Sequence, residues 1–440
     1  MRRFRFLHAA DLHLDSPFRG LSEVPRPIRE VIRGSTLSAL DRLTELAIRE
    51  GVSFVVIAGD VYDLEDRSVR AQLRFQRAAE RLAEAGIGVY IAHGNHDPLD
   101  GKQLPWEMPA GVKVFPAGEV ETAVVRDPSG REIAHVHGIS YGAAQVTENL
   151  AERFRVHDRS VFNIGVLHTN VDGARDHANY APSSRAALIG KGMDYWALGH
   201  IHARSVLHEA PYIVYPGNLQ SRSMKETGPK GCYIVDVDED HAVQLRFHAA
   251  DSVRWLKLTV NLKEAADEQQ VKERIEEQLA LLREQTDGRP AVVRLILTGR
   301  TELHSVLMQT AFLDDVIADW NEREVQLCEQ QAGSCFVWIE GCRVRTSGLI
   351  ERDYWLEQEH FVGDLLRTAA ELRQDETALR QYAEELLADL LRSKAGRYLH
   401  DHGTRSGGNF LTAQEPDELV ECLEQAEEWL LDKLLGGEAG

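Results

Sequence analysis

Cysteine is scarce in this sequence: five residues in 440, at positions 232, 328, 335, 342 and 422, odd in number and without C-x-x-C spacing. A disulfide scaffold, a thiolate zinc site and a thioredoxin-like redox motif are therefore excluded as organising features. Each thiol reads as a small buried hydrophobe in a reducing, cytoplasmic setting. No run of 18 or more apolar residues occurs, so no transmembrane helix is expected. The start, Met1-Arg2-Arg3-Phe4-Arg5-Phe6-Leu7, reaches Asp11 and His13 before an apolar signal core could form, and no signal peptide is expected.

Positive charge is also in deficit. The formal net charge is -20, which is awkward for binding phosphate backbones. Its location matters more: residues 351–440 carry 21 Asp and Glu against 9 Lys and Arg, so -12 of the total lies in the tail. Part of what remains is carboxylate of metal-ligand type, which bound divalent ions would offset.

What is present is the composition of a folded globular chain, 43% hydrophobic and 27% charged. At 440 residues, two or three domains are expected. Short apolar runs at 3–8, 53–58 and 88–92, with helical sequence between the second and third, predict parallel strands. Further strand-like runs at 112–115, 121–125, 132–139, 161–167, 195–198, 211–215 and 231–237 have few helices between them. The expected fold is α/β, a two-layered mixed β-sheet sandwich flanked by helices. A strand at 255–260, a helix at 267–284 and a strand at 291–297 predict a small α+β domain. From about Ile350 the sequence reads as a helical C-terminal tail, interrupted by a polar, Gly-rich stretch at 402–409. The expected domains are 1–250, 251–349 and 350–440.

Five short motifs stand at the ends of apolar strands: Asp11-Leu12-His13, Gly59-Asp60, Gly94-Asn95-His96-Asp97, His168-Thr169 and Gly199-His200-Ile201-His202. In open α/β sheets, ligands gather at the carboxyl ends of the strands. Residues i and i+2 of extended backbone point the same way, so Asp11 with His13, and His200 with His202, can each act as a pincer. Imidazole with carboxylate favours manganese, iron or zinc over the all-oxygen shells of calcium. Two ions ~3.5–4 Å apart need a bridging carboxylate, for which Asp60 on its Gly59 turn is the natural candidate.

These motifs resemble those of the calcineurin-like metallophosphoesterase superfamily. The fuller stretches at 7–18, 93–98 and 195–202, with Tyr215-Pro216-Gly217-Asn218, resemble its DNA-repair exonuclease branch, of the SbcD and YhaO type. The resemblance is dense over residues 1–240 and rests on domain order beyond. It implies a two-metal-dependent DNA exonuclease or phosphodiesterase holding two divalent ions, foremost Mn2+, with Fe2+ or Zn2+ as alternatives. It further implies that Asp11, His13, Asp60 and His202 hold one ion, and Asp60, Asn95, His168 and His200 the other. His96 is then left to donate a proton to the leaving oxygen, with Asp97 orienting it. The implied partners are DNA and a coiled-coil ATPase of the structural-maintenance type docking on residues 350–440. A small-molecule phosphodiesterase or phosphatase of the same fold, and a noncatalytic scaffold subunit, are the alternatives.

Other features carry less. His8, His93, His135 and His137 read as packed or supporting histidines, and His400 and His402 as chance spacing. His177, Tyr180 and Pro182 sit in a polar loop that could face substrate. Arg67, Arg70, Arg74, Arg77 and Arg81 recur at helical spacing, which predicts a basic stripe opposite Ala71, Phe75, Ala78 and Leu82. Such a stripe is a solvated face, a phosphate contact or a subunit interface, as in a homodimer. Leu365, Leu372, Leu379 and Leu386 recur every seven residues, and Leu419, Leu423, Ala426, Leu430 and Leu434 line a second helix.

Overall fold

Strands that are apolar on both faces must be covered on both faces, and the first two strands set the layering. Phe6, Phe54 and Val56 point one way into a core with Phe162, Ile164, Tyr195 and Val235. Leu7, Val55 and Ile57 point the other way, against Leu40, Leu43, Phe75 and Leu82 of two helices. Phe6 and Phe54 stack with ring centroids 5.2 Å apart. Burial of each such side chain contributes about 1.5–3 kcal/mol.

The computed structural model describes residues 3–18, 24–63, 68–100, 108–173, 180–263, 265–330, 335–349, 352–392 and 416–435. Arg67, His177, His400, His402 and the Gly-rich 402–409 stretch lie outside the described residues.

In chain order the strands begin with β1 (Phe4–Ala9), β2 (Phe54–Ala58), β3 (Gly88–Ala92), β4 (Val112–Val114), β5 (Glu121–Arg126), β6 (Glu132–Gly138) and β7 (Phe162–His168). They continue with β8 (Tyr195–Gly199), β9 (Ser205–Glu209), β10 (Tyr212–Tyr215), β11 (Gly231–Val237), β12 (Val243–Ala249), β13 (Arg254–Asn261), β14 (Ala291–Arg300) and β15 (Val337–Ser347). One six-stranded sheet has the order β12-β11-β1-β2-β3-β4 and a second has the order β5-β6-β7-β8-β10-β9. In the first, β1 to β4 run parallel while β11 and β12 are antiparallel additions. In the second, β6, β7, β8 and β10 run parallel between antiparallel edges β5 and β9. The expected mixed two-layered sandwich is therefore the observed one. A three-stranded sheet of β13, β14 and β15 follows.

The helices are α1 (Arg26–Glu50), α2 (Val69–Glu84), α3 (Arg185–Ile189), α4 (Glu268–Gln285) and α5 (His304–Leu307), then α6 (Ala311–Gln330), α7 (Arg352–Leu356), α8 (Phe361–Gln374), α9 (Glu376–Arg392) and α10 (Pro416–Leu435). Pro25 precedes α1, and Gly51 ends it in the left-handed conformation at φ 60°. Ser68 caps α2 by accepting from the Ala71 amide. The apolar face of α2 is the expected one, with Ala71, Phe75, Ala78 and Leu82 buried.

The basic stripe is not unopposed. Arg70 lies 3.6 Å from Asp15, Arg74 pairs with Asp41 and Arg81 lies 3.9 Å from Glu45. Periodicity identifies the polar face of α2 but not the carboxylates of α1 that meet it.

The chain divides into two compact units, one of Met1–Leu258, Ile275–Ile296 and Asp314–Arg343, the other of Thr259–Arg274, Leu297–Leu313 and Val344–Gly440. Within the second, the heptad leucines do not form one continuous seam, because Asp375 breaks the helix between α8 and α9. Leu379 and Leu419 are buried together with Leu372 and Leu423 beside them, and Val362, Leu366 and Leu431 form a neighbouring cluster. Leu386, at 63% exposure, is left uncovered. No helix among the described residues is long and apolar enough to cross a membrane.

Candidate metal centre

The five motifs stand at or just after the carboxyl ends of β1, β2, β3, β7 and β8. Because these strands are neighbours within two facing sheets, residues far apart in sequence converge. The turns that carry them are unusual: Asp11, His13, Asp60 and His200 all have positive φ, at 51°, 43°, 51° and 102°. Such backbone costs on the order of 1–3 kcal/mol per residue and concentrates at functional sites. Glycine is required at position 94, where a Cβ would overlap Asp60 Oδ1 and the His168 ring.

Asp60 occupies the middle. Its Oδ1 accepts from the His96 amide at 2.9 Å. Its Oδ2 lies 3.3 Å from His168 Nε2 and 3.9 Å from His13 Nε2. Asn95 Oδ1 is 3.0 Å from the same His168 nitrogen. Asp11 accepts from the His200 amide at 3.0 and 3.1 Å, and the His200 ring stands edge-on to His168 with centroids 5.2 Å apart. All seven predicted ligand residues are thus gathered at one end of the sandwich.

Ring hydrogen bonds fix which nitrogen each imidazole presents. His168 Nδ1 lies 3.1 Å from the Ala58 carbonyl, an acceptor only, so Nδ1 carries the proton. His13 Nδ1 is held by Asp63 at 3.0 Å and His202 Nδ1 by Glu226 at 2.7 Å. With Nδ1 engaged in this way, Nε2 is the nitrogen that each ring would offer to a metal, the arrangement carboxylates and carbonyls impose on metal-ligating histidines. His13 Nε2 and His202 Nε2 face each other at 3.2 Å. At that separation either a proton on one ring or a cation shared by both would join them. Asp11 with His13 and His202, and Asp11 with Asp60 and His168, are each close enough to hold an ion. The donor set thus fits divalent metal.

Without ions, charges inside the site hold one another. Burial pushes the Asp60 carboxyl up, but His168, His13 and His96 outweigh it and hold the group well below the carboxylate range. Burial lowers His168, yet Asp60 and Asp11 raise it to about 9. Burial and then Arg222 lower His13.

Three residues of the site have no motif of their own or act apart from it. Asp63 sits 2.7 Å from His96 Nδ1, accepts from Ser16 Oγ and pairs with Arg222 at 3.2 Å. Burial lowers His96, but the Asp63 hydrogen bond and the charges of Asp60 and Asp63 raise it to about 9. Asp97 works elsewhere in the same turn: it accepts from the amides of Val61 and Gly94 at 2.7 and 2.8 Å and pairs with His93 at 2.8 Å. Glu226 also accepts from Asn218 Nδ2 and the Arg222 amide at 3.0 and 2.8 Å. The signal available for Asp63 is its place three residues after Asp60, in the turn that already carries the ligand.

The calcineurin-like phosphoesterase family model matches residues 4–204, and a model of the metallophosphoesterase YhaO middle domain matches residues 255–347. Over 338 residues the chain is 40% identical to the uncharacterized metallophosphoesterase YhaO of Bacillus subtilis (strain 168), covering 76% of this chain and 79% of that one. The chain belongs to the calcineurin-like metallophosphoesterase family. It is also 24% identical over 324 residues to the DNA double-strand break repair protein Mre11 of Sulfurisphaera tokodaii, covering 70% of this chain and 77% of that one. One component of the SbcCD nuclease of Bacillus subtilis (strain 168) is 23% identical over 269 residues, covering 53% of this chain and 66% of that one. These distant relatives support the DNA-repair nuclease branch of the family.

Proposed function

We propose that the protein is a two-metal phosphodiesterase that hydrolyses DNA. The observation that carries the reading is the position of Asp60 Oδ2, 3.3 Å from His168 Nε2 and 3.9 Å from His13 Nε2, between histidines of the two proposed ligand sets, where Asp60 would belong to both. Asp11, His13, Asp60 and His202 would hold one ion, and Asp60, Asn95, His168 and His200 the other. Bound there, two divalent ions polarise a phosphoryl group and lower the pKa of an attacking water. Mn2+ suits the mixed imidazole and carboxylate set, with Fe2+ and Zn2+ as alternatives.

His96 is the proton donor of this reading. Its side chain is 45% exposed beside the buried ligands, so it can reach the leaving oxygen of a phosphate seated over the centre. Asp63 holds Nδ1 and leaves Nε2 to deliver the proton. Asp97 braces the turn from Gly94 that presents Asn95 and His96.

DNA as substrate draws its support from the Mre11 and SbcCD relatives. The same reading has three domains at 1–250, 251–349 and 350–440, and a coiled-coil ATPase docked on the tail, where Phe361, Leu386 and Trp429 are exposed. Homodimer formation belongs to it too, as does a cytoplasmic location, in keeping with five free cysteines. One observation favours a small phosphate ester instead: three arginines of the α2 stripe are ion-paired. Purified protein with Mn2+ should therefore be offered end-labelled duplex DNA, a chromogenic phosphodiester and a nucleoside monophosphate. Chelator-sensitive cleavage of the first two supports the reading. Hydrolysis of the monophosphate with intact DNA would replace it with a phosphatase.

A further inference from the structure

A second basic cluster lies away from the metal centre, between α1 and the edge strand β12. A cavity of about 270 Å3 is lined there by Arg42, Glu45, Arg49, His248 and Arg289, together with Leu46, Ala249 and Ala250. His248 pairs in register with Cys232, which is buried in the core beneath α1, so strand alternation turns the imidazole toward that helix.

The arginines are arranged unusually. Arg42 Nη1 and Arg289 Nε donate to the same atom, the Asp251 carbonyl oxygen, at 3.1 and 3.0 Å. Arg289 Nη2 donates to the Ala249 carbonyl at 3.3 Å. Two guanidinium groups are thus drawn together on one carbonyl oxygen, and the carboxylates around them offset only part of their charge. The Asp251 carboxylate is engaged by Arg254 through both oxygens, at 2.9 and 3.0 Å, and is 3.8 Å from Arg289. Asp287, 3.2 Å from Arg289, is 76% exposed, and Glu45 lies 3.9 Å from Arg81. Burial and then the Arg289 charge hold Arg42 below the ordinary guanidinium range. Arg49 stands exposed on the last turn of α1. His248 Nε2 is buried with no hydrogen-bond partner among the described residues.

Like charges brought together repel unless an anion is between them, and paired guanidiniums match the oxygens of a phosphate. We propose that Arg42, Arg49, Arg289 and His248 form a binding site for a phosphate group, distinct from the metal centre. In a chain of net charge -20, three guanidinium groups lining one cavity give a phosphate a defined address. The phosphate is that of a DNA strand or of a small phosphorylated molecule. Only the first source depends on DNA being the substrate.

Two arms of one experiment test the site on the full chain stripped of metal. In the first, inorganic phosphate is titrated while Tm is followed for the wild type, Arg42→Gln and Arg49→Gln. A phosphate-dependent rise in the wild type that is lost or much reduced in both variants supports the site. No rise in the wild type, or an equal rise in all three, overturns it. Arg49→Gln removes an exposed side chain and keeps the test decisive should Arg42→Gln fold poorly. In the second arm, binding of labelled duplex DNA is measured against salt. A slope reduced by about 1 in each variant assigns the phosphate to a DNA strand, whereas an unchanged slope beside a positive first arm assigns it to a small ligand. Absence of any DNA binding by the wild type would count against DNA as substrate and leave the first arm to decide the site.

Discussion

His13 and His96 share a single carboxylate oxygen: Asp63 Oδ1 lies 3.0 Å from His13 Nδ1 and 2.7 Å from His96 Nδ1. One residue thereby orients a proposed metal ligand and the proposed proton donor. Asp63→Asn should lower both metal affinity and hydrolysis by about 10–100-fold, the usual effect of losing a carboxylate behind a metal-bound imidazole. Asp63 also raises the His96 pKa, and a proton donor loses its proton above its pKa. The high-pH limb of the rate profile should move to lower pH in the variant. Unchanged affinity with an unmoved limb would remove Asp63 from the mechanism.

His96→Ala separates proton transfer from metal binding. Both ions should remain bound, while hydrolysis falls by ~10²–10⁴-fold, the range for a lost general acid. Elemental analysis alongside the assay decides it: loss of one metal equivalent would make His96 a ligand.

The metal-free protein should become less stable in alkali. His168 and His96 are both raised to about 9 from an ordinary 6.5. A group whose folded pKa is raised contributes stability that is complete below its unfolded pKa and is lost as pH rises through the folded value. Tm without metal should fall between pH 6.5 and about 9, and Mn2+ should reduce the fall by taking the place of the bound protons. A flat metal-free profile across that window would contradict the ion pairing inside the site.

Much of the centre was legible because ligand residue types stand at strand ends, and strand order can be read from apolar runs. The sandwich followed for the same reason, while the edge strands β9 and β12, whose polar residues weaken the apolar signal, the last strand β15 and the helices α1 and α6 were not marked by it. Asp63 and Glu226 escaped notice because they act through ring nitrogens of other residues and form no motif. The α2 stripe misled in another way. Spacing showed five arginines on one face, but Asp41 and Glu45 come to meet them from α1, a tertiary relation that periodicity does not contain. In the tail, the seven-residue leucine repeat ran straight through the break at Asp375.

Deletion of residues 351–440 should leave metal binding and hydrolysis of a small diester intact. Every proposed ligand, and the cores on both faces of the first sheet, lie before position 251. Binding of the proposed ATPase partner should be lost. An insoluble or metal-free truncation would make the tail part of the catalytic fold.

The bridging role of Asp60 is tested most directly by counting Mn2+ ions bound per chain in the wild type and in Asp60→Asn, with calorimetry and elemental analysis on the same samples. Two ions are expected in the wild type, and weakened binding of both in the variant, since a neutral amide cannot bridge two cations as a carboxylate does. Two ions held by Asp60→Asn at wild-type affinity, or a wild type that binds only one, would contradict a two-metal centre built on this residue.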